Sequence, residues 1–155
     1  MPNNKLHLNN ESDSRRLAEA IAANLTGVEV ITLSGGLGAG KTTFARALIN
    51  SMSKKKQDVI SPTFNIVQIY DTDIAKVWHY DLYRIKSLSE IAELGLEEAA
   101  GNGVVIVEWP EMAGNMMPAA NIHIKFDYSA FDGGRTAEIN CDKKWDALLN
   151  KYANT

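Results

Sequence analysis

The sequence has little cysteine, no long apolar stretch and no excess of positive charge. Its one cysteine, Cys141, can form neither an internal disulfide nor a cysteine-cluster metal site. No apolar run reaches the roughly 20 residues that a membrane-spanning helix needs. Lys and Arg number 16 against 19 Asp and Glu, and this net charge of -3 argues against nucleic-acid binding through bulk charge alone. The first residues, MPNNKLHLNNESDS, lack the apolar core of a secretory signal, so we expect a cytoplasmic protein without a membrane anchor.

What the sequence does contain is an alternation of helical and strand patterns. A length of 155 residues with 45% hydrophobic residues suits one globular domain, and we expect residues 1–155 to form it. Apolar spacing predicts helices over 12–25, 42–52, 87–100 (interrupted at Gly95) and 143–152. β-branched and alternating apolar runs predict strands over 5–8, 28–33, 66–70, 76–83, 104–107, 122–128 and 135–141. Two of the predicted connections are hairpins, so the fold class is α/β with a mixed central sheet.

The ends of the first predicted helix carry recognisable capping residues. Asn10 and Ser12 are both candidates for the N-cap, because a short polar side chain can accept a hydrogen bond from a free first-turn amide. Gly27 is the expected end of this helix. Lys54–Lys56 is predicted to be a solvated loop.

A glycine-rich segment between the second strand and second helix is the strongest functional signal. It matches G-x-x-x-x-G-K-[ST] without a gap and reads Gly35-Gly36-Leu37-Gly38-Ala39-Gly40-Lys41-Thr42. Glycines permit the close approach at which backbone amides and a helix N-terminus cradle phosphate. Lys41 is expected to reach the β- and γ-phosphates, Thr42 to bind Mg²⁺, and Thr43 is a candidate contact of the α-phosphate. The alternative is a turn that binds nothing; the strand–loop–helix context favours a three-layer, P-loop NTPase-like fold that binds ATP and Mg²⁺.

A P-loop protein also needs an acidic residue at a strand end to hold Mg²⁺. Glu108 directly follows the apolar strand and is the best candidate, with a solvent-facing glutamate as the alternative. Trp109 comes next, and its position is equally compatible with lying against the nucleotide and with capping the core. Asp81 is a candidate for orienting the attacking water; the alternative is a surface ion pair with Arg84.

The three histidines, His7, His79 and His123, show no spacing with other ligands that would form a zinc site. We therefore expect them to be ordinary strand residues.

Several further motifs occur in a fixed order along the chain. They are Ser61-Pro62-Thr63-Phe64, the segment HYDLYR at 79–84, the segment ELGLE at 93–97, and Val107-Glu108-Trp109-Pro110. Together with the P-loop, they resemble the bacterial ATPase family of tRNA threonylcarbamoyladenosine biosynthesis, the TsaE family. The resemblance spans about residues 10 to 140.

The resemblance implies a small ATPase that works with TsaB-like and TsaD-like proteins. In that system the TsaD protein transfers the threonylcarbamoyl group to adenosine 37 of certain tRNAs. The TsaE-like protein hydrolyses ATP to support turnover of the transferase and does not perform the transfer itself. Any contact of this chain with tRNA is therefore expected to be indirect.

The resemblance also implies roles for particular residues. Lys41 would contact phosphate, Thr42 and Glu108 would hold Mg²⁺, and Thr63 and Asp81 would lie near the γ-phosphate. Looser matches for nucleotide contacts are Glu11, before the first helix, and the turn from Gly133 through Gly134 to Arg135. The family loop usually has Asp where this chain has Gly36, a change that leaves the backbone phosphate cradle intact.

Two other functions compete with an ATPase that serves a protein complex. A small-molecule P-loop kinase would need an acceptor pocket and an arginine-bearing lid. The five arginines of this chain form no lid-like cluster in the sequence: Arg15, Arg16, Arg46, Arg84 and Arg135. A nucleotide-binding adaptor without useful hydrolysis is the third alternative.

Overall fold

The computed structural model describes residues 3–56, 58–59, 62, 65–128 and 134–153. The strands are β1 (Asn3–Leu8), β2 (Val30–Gly35), β3 (Val67–Asp71), β4 (Lys76–Asp81), β5 (Val104–Glu108), β6 (Ile122–Tyr128) and β7 (Arg135–Cys141). The helices are α1 (Glu11–Ala22), α2 (Lys41–Ser51), α3 (Leu88–Ala92), α4 (Leu96–Ala99) and α5 (Lys143–Ala153), with a 3₁₀ segment at Pro110–Met116. Every predicted element is present, and the break predicted at Gly95 separates α3 from α4.

All seven strands belong to one sheet in the order β1-β7-β6-β2-β5-β4-β3. Strand β2 lies between β5 and β6 and runs parallel to both, and β4 is parallel to β5. Antiparallel pairing occurs between β3 and β4, β6 and β7, and β1 and β7. The sheet is therefore mixed, as predicted. Its arrangement places the end of β2 beside the ends of β5 and β6.

The helices cover both faces of the sheet. Helices α1, α2 and α5 pack on one face around a core that includes Leu17, Leu48 and Trp145. Helices α3 and α4 and the 3₁₀ segment pack on the other face. Side chains of β5 alternate between the two cores, which explains why this strand contains no polar residue before its end. The predicted three-layer α/β fold is confirmed.

Several boundaries differ from the prediction around the first loop. Asn10 caps α1 by accepting a 3.0 Å hydrogen bond from the Asp13 backbone N–H. The helix ends at Ala22, and Gly27 lies in the following loop instead of capping it. Strand β2 begins at Val30, not at residue 28, because the Glu29 carboxylate folds back onto backbone amides of residues 26–28.

At its C-terminal end, β4 stops at Asp81 and does not continue to residue 83. The Lys54–Lys56 segment is exposed, as predicted. Within the described ranges, none of the helices has both the length and the apolar character required to span a bilayer.

Candidate nucleotide-binding site

The glycine-rich loop connects the end of β2 to the start of α2, as the motif predicts. Lys41 begins the helix, and its Nζ donates 2.7 Å hydrogen bonds to the carbonyl oxygens of both Gly35 and Gly36. The same ammonium lies 4.4 Å from the centre of the Trp109 ring. Burial lowers the pKa of Lys41, and the neighbouring Glu108 and Asp81 carboxylates offset this only in part. The lysine is thus a buried cation held against its own loop.

The outer side of the loop is held by the ends of β6 and β7. The Tyr128 hydroxyl donates a 3.1 Å hydrogen bond to the Leu37 carbonyl, and Arg135 donates one of 3.3 Å to the Gly38 carbonyl. The Arg135 guanidinium also lies 4.3 Å from the centre of the Tyr128 ring. Gly38 has a φ of +73°, and a Cβ added there would lie 2.8 Å from the Tyr128 hydroxyl. The backbone conformation therefore favours glycine at this position, and a larger residue would also displace the Tyr128 hydroxyl.

An acidic pair lies beside the start of α2, on the neighbouring strands. The Thr42 hydroxyl donates a 2.9 Å hydrogen bond to Oε1 of Glu108, which is buried at the end of β5. Asp81 is the register partner of Glu108 on β4, so the two carboxylates project from the same face of the sheet. The Tyr83 backbone N–H donates a 3.0 Å hydrogen bond to Oδ1 of Asp81. Hydroxyl and carboxylate oxygens are the hard donors that Mg²⁺ prefers, so Thr42 and Glu108 fit this ion.

Trp109 lies at the site and also packs against the core of the second sheet face. Its ring contacts the Lys41 ammonium and lies 4.9 Å, between centroids, from the ring of Tyr83 at an interplanar angle of 43°. The side chain also packs against the core under α3 and α4. Its backbone has a φ of +61°, a conformation that non-glycine residues adopt uncommonly and that is enriched at functional sites. The structure therefore places Trp109 both beside the candidate site and against the core, and its contact with the nucleotide stays a prediction.

Two adjoining cavities open over these residues. The first has a volume of about 410 Å³ and is lined by Leu37, Gly38, Gly40, Lys41, Thr42, Thr43, Asp81, Tyr83, Arg84, Glu108, Trp109 and Arg135. The second, of about 260 Å³, is lined by Leu8, Asn9, Asn10, Glu11, Ser14, Gly40, Thr43, Gly134 and Arg135. A larger groove of about 590 Å³ between α1 and α2 includes none of Lys41, Asp81 and Glu108. We place the candidate site in the first cavity, which holds these three residues, and in the second, which shares Gly40, Thr43 and Arg135 with it.

The structure thus brings most of the predicted residues together. Glu11, Gly134 and Arg135, the looser matches, line the second cavity, while Ala39 is buried beneath the loop. Thr63 and Gly133 lie outside the described residues. The sequence-based prediction missed His79 and Tyr128: it treated His79 as an ordinary strand residue, yet His79 contacts Glu108. The only available signal was that His79 shares a strand face with Asp81, because the partners of each residue depend on strand order.

Comparison with known proteins supports the family suggested by the motifs. The family model for "Threonylcarbamoyl adenosine biosynthesis protein TsaE" matches residues 8–137. The chain belongs to the TsaE family. Within this family it is 42% identical over 120 residues to the tRNA threonylcarbamoyladenosine biosynthesis protein TsaE of Rickettsia typhi, covering 76% of this chain and 83% of the relative. The protein of the same name from Rickettsia bellii is 40% identical over 152 residues, covering 98% of this chain and 99% of the relative.

A solved structure supports the fold of this TsaE-family chain. The crystal structure of Bacillus subtilis YdiB superposes with a TM-score of 0.75 and covers 97% of this chain and 93% of its own. The two sequences are 24% identical in that comparison, so the similarity is evidence for the fold alone. It agrees with the mixed α/β, P-loop-like architecture described above.

Proposed function

We propose that this TsaE-family protein is a Mg²⁺-dependent ATPase that supports formation of threonylcarbamoyladenosine at position 37 of tRNA. The observation that carries the ATPase proposal is the hydrogen bond between Thr42 of the P-loop motif and Glu108 at the end of β5. This contact joins the two groups that a P-loop enzyme needs for its metal ion. The role in tRNA modification is supported by the family and by the names of its relatives.

The chemistry follows from the charges around the first cavity. A bound Mg²⁺ ion would neutralise charge on the phosphate oxygens, and Thr42 and Glu108 are the residues that would hold it. The Lys41 ammonium would stabilise the negative charge that develops on the leaving phosphate oxygens. Asp81, oriented by the Tyr83 amide, would accept a hydrogen bond from the attacking water. Trp109 would shield the Lys41 side chain from bulk water.

The reaction in this proposal is attack of water on the γ-phosphorus of ATP. A bond forms from the water oxygen to phosphorus and the bond from phosphorus to the bridging oxygen breaks. The products are ADP and inorganic phosphate, and one proton of the water is released. Most of the catalysis would come from positioning and charge stabilisation, because phosphoryl transfer requires little covalent participation by the protein.

The proposed partners are a TsaD-like transferase and a TsaB-like protein. We expect the isolated chain to hydrolyse ATP slowly and the partners to raise turnover by organising or completing the charges around the γ-phosphate. Contact with tRNA would be made mainly by the complex. Location in the cytoplasm stays a prediction.

Release of inorganic phosphate from ATP, with and without the partner proteins, tests this proposal. Lys41→Ala should reduce release by about 100-fold or more, because it removes a preorganised positive charge. Lys54→Ala is the matched control, since Lys54 is exposed and lies outside the two cavities. If the wild type and Lys41→Ala both release phosphate only at the background rate, the protein is better explained as a nucleotide-binding adaptor without useful hydrolysis. Transfer of the γ-phosphate to a small hydroxyl compound would favour the kinase.

A further inference from the structure

A buried histidine contacts the far side of the candidate metal-holding carboxylate. His79 lies on β4 and is completely buried, and its Nε2 is 2.7 Å from Oε2 of Glu108 on β5. The other carboxylate oxygen, Oε1, accepts the hydroxyl hydrogen bond of Thr42. Each oxygen of Glu108 therefore has its own partner. Two bonds on opposite oxygens fix the rotation of the carboxylate group.

The direction of the histidine hydrogen bond follows from its surroundings. A carboxylate accepts hydrogen bonds, so Nε2 of His79 carries a hydrogen atom and donates a hydrogen bond to Oε2 of Glu108. Nδ1 is buried, and it has no hydrogen-bond partner among the described residues. A proton on Nδ1 would therefore leave a buried donor unsatisfied, which disfavours it. The imidazole therefore directs one N–H donor at Glu108.

The position of His79 in the sheet would otherwise suit an apolar residue. Its neighbour on the same face of β4 is Val77, and its register partner on β5 is Ile106; both belong to the core under α1 and α2. An aliphatic residue at 79 would pack with these side chains but would leave Oε2 of Glu108 buried without its donor. A buried charged group that loses a hydrogen-bond partner destabilises the fold. A histidine at position 79 is therefore explained by its hydrogen bond to Glu108 and not by packing in the core.

We infer that His79 is a positioning residue that orients the Glu108 carboxylate for Mg²⁺; this inference rests on the proposed function. His79 acts through Glu108 and need not contact nucleotide or metal. Residues that orient a ligating carboxylate commonly change metal affinity by about 10- to 100-fold when they are replaced. Nucleotide binding without metal depends on Lys41 and the loop backbone, neither of which His79 contacts in the described structure, and should be retained.

The test compares the binding of ADP in Mg²⁺ with its binding in EDTA, and the ratio of the two affinities is the metal-dependent gain. His79→Leu removes the donor, and His79→Asn keeps a polar side chain that is too short to reach Glu108. His79→Gln keeps an N–H donor at about the reach of Nε2. His123→Leu is the matched control, because His123 forms hydrogen bonds with Thr32 and Ser34 on β2 and, within the part of the chain that the structure describes, none with Glu108.

We expect His79→Leu and His79→Asn to lose about tenfold or more of the metal-dependent gain, with affinity in EDTA close to that of the wild type. His79→Gln should recover most of the gain, and His123→Leu should match the wild type. Binding of Mn²⁺ to the ADP complex, measured by electron paramagnetic resonance, should be weaker in His79→Leu and His79→Asn than in the wild type. In His79→Gln and His123→Leu it should be close to that of the wild type. If His79→Leu does not fold, the comparison of the Asn and Gln variants gives the answer.

The inference is overturned if the Asn and Gln variants keep the wild-type gain, or if both lose it equally. It is also overturned if affinity in EDTA falls as much as affinity in Mg²⁺, since that result indicates a general structural role. A wild-type protein whose ADP affinity does not respond to Mg²⁺ would instead contradict the proposed function, and the inference would fail with it.

Discussion

The Thr42 hydroxyl donates a 2.9 Å hydrogen bond to Oε1 of Glu108, a residue 66 positions further along the chain. The contact exists because β2 and β5 are parallel neighbours, so the helix that follows β2 begins beside the end of β5. It joins a hydroxyl and a carboxylate, and a divalent cation prefers ligands of both types.

Replacing Glu108 with Gln should abolish most Mg²⁺-dependent hydrolysis. The amide keeps the size of the side chain and an oxygen that can accept from Thr42, but it removes the negative charge and places an NH₂ group opposite Nε2 of His79. We expect phosphate release at saturating ATP to fall by about 100-fold. Glu97→Gln, in the first turn of α4, is the control and should behave as the wild type. Wild-type activity in Glu108→Gln would exclude this carboxylate from the metal site.

Two alanine substitutions in the loop should differ in their effect on ADP binding. Gly38 has a φ of +73°, and a Cβ there would displace the Tyr128 hydroxyl, whereas a Cβ at Gly36 would meet no heavy atom within 4 Å. We expect Gly38→Ala to weaken ADP binding by about tenfold, since a left-handed alanine costs roughly 1–2 kcal/mol. Gly36→Ala should stay within about twofold of the wild type. Isothermal titration calorimetry measures both, and equal affinities would show that the loop is not constrained at Gly38.

Removal of the Tyr128 hydroxyl should weaken nucleotide binding moderately. Tyr128→Phe loses the hydrogen bond to the Leu37 carbonyl but keeps the ring on which Arg135 stacks. A net loss of about 1 kcal/mol corresponds to roughly fivefold weaker ADP binding. Tyr80→Phe is the matched control, because its hydroxyl makes the same type of bond, to the Leu94 carbonyl, on the other face of the sheet. Tyr80→Phe should lower the stability of the fold without lowering ADP affinity. If Tyr80→Phe weakens ADP binding more than Tyr128→Phe does, the role given to Tyr128 is wrong.

The stability contributed by Glu29 should depend on pH. Burial alone would raise the pKa of Glu29, but hydrogen bonds from the backbone amides of Thr26 and Gly27 and from the Thr26 hydroxyl outweigh it and lower the pKa below 4.5. A lowered folded-state pKa gives stability that is present above the unfolded value of 4.5 and is lost as the pH falls through the folded value.

The free energy of unfolding in urea, measured for the wild type and Glu29→Gln, tests this dependence. The wild type should be more stable by about 1–3 kcal/mol at neutral pH. The difference should shrink as the pH is lowered below 4.5. If the difference in unfolding free energy is the same at neutral pH and below pH 4.5, the charge of the Glu29 carboxylate does not contribute to stability.

Most of the fold could be predicted because its signals are local. The hairpin of β3 and β4, the capping of α1 by Asn10 and the break at Gly95 each depend on residues close together in the chain. The error at the start of β2 has a physical reason. Glu29 has the neighbours of a strand residue, but its carboxylate bonds to the preceding loop, and this contact cannot be read from apolar patterning.

The candidate site was predictable only in part, for a related reason. The meeting of Thr42 with Glu108 follows from the general chemistry of P-loops, which requires an acid beside the motif. The contacts of His79 with Glu108 and of Tyr128 with Leu37 depend on which strands are neighbours in the sheet. Strand order is a long-range property, and no spacing within a single sequence specifies it.

Multiple-turnover formation of threonylcarbamoyladenosine in tRNA, reconstituted with the TsaB-like and TsaD-like partners, is the most direct test of the proposed function. We expect the wild-type chain with ATP and Mg²⁺ to sustain repeated turnover, and Lys41→Ala to leave the reaction at the level reached without this protein. If Lys41→Ala supports turnover as well as the wild type does, ATP hydrolysis by this chain is not what drives the modification.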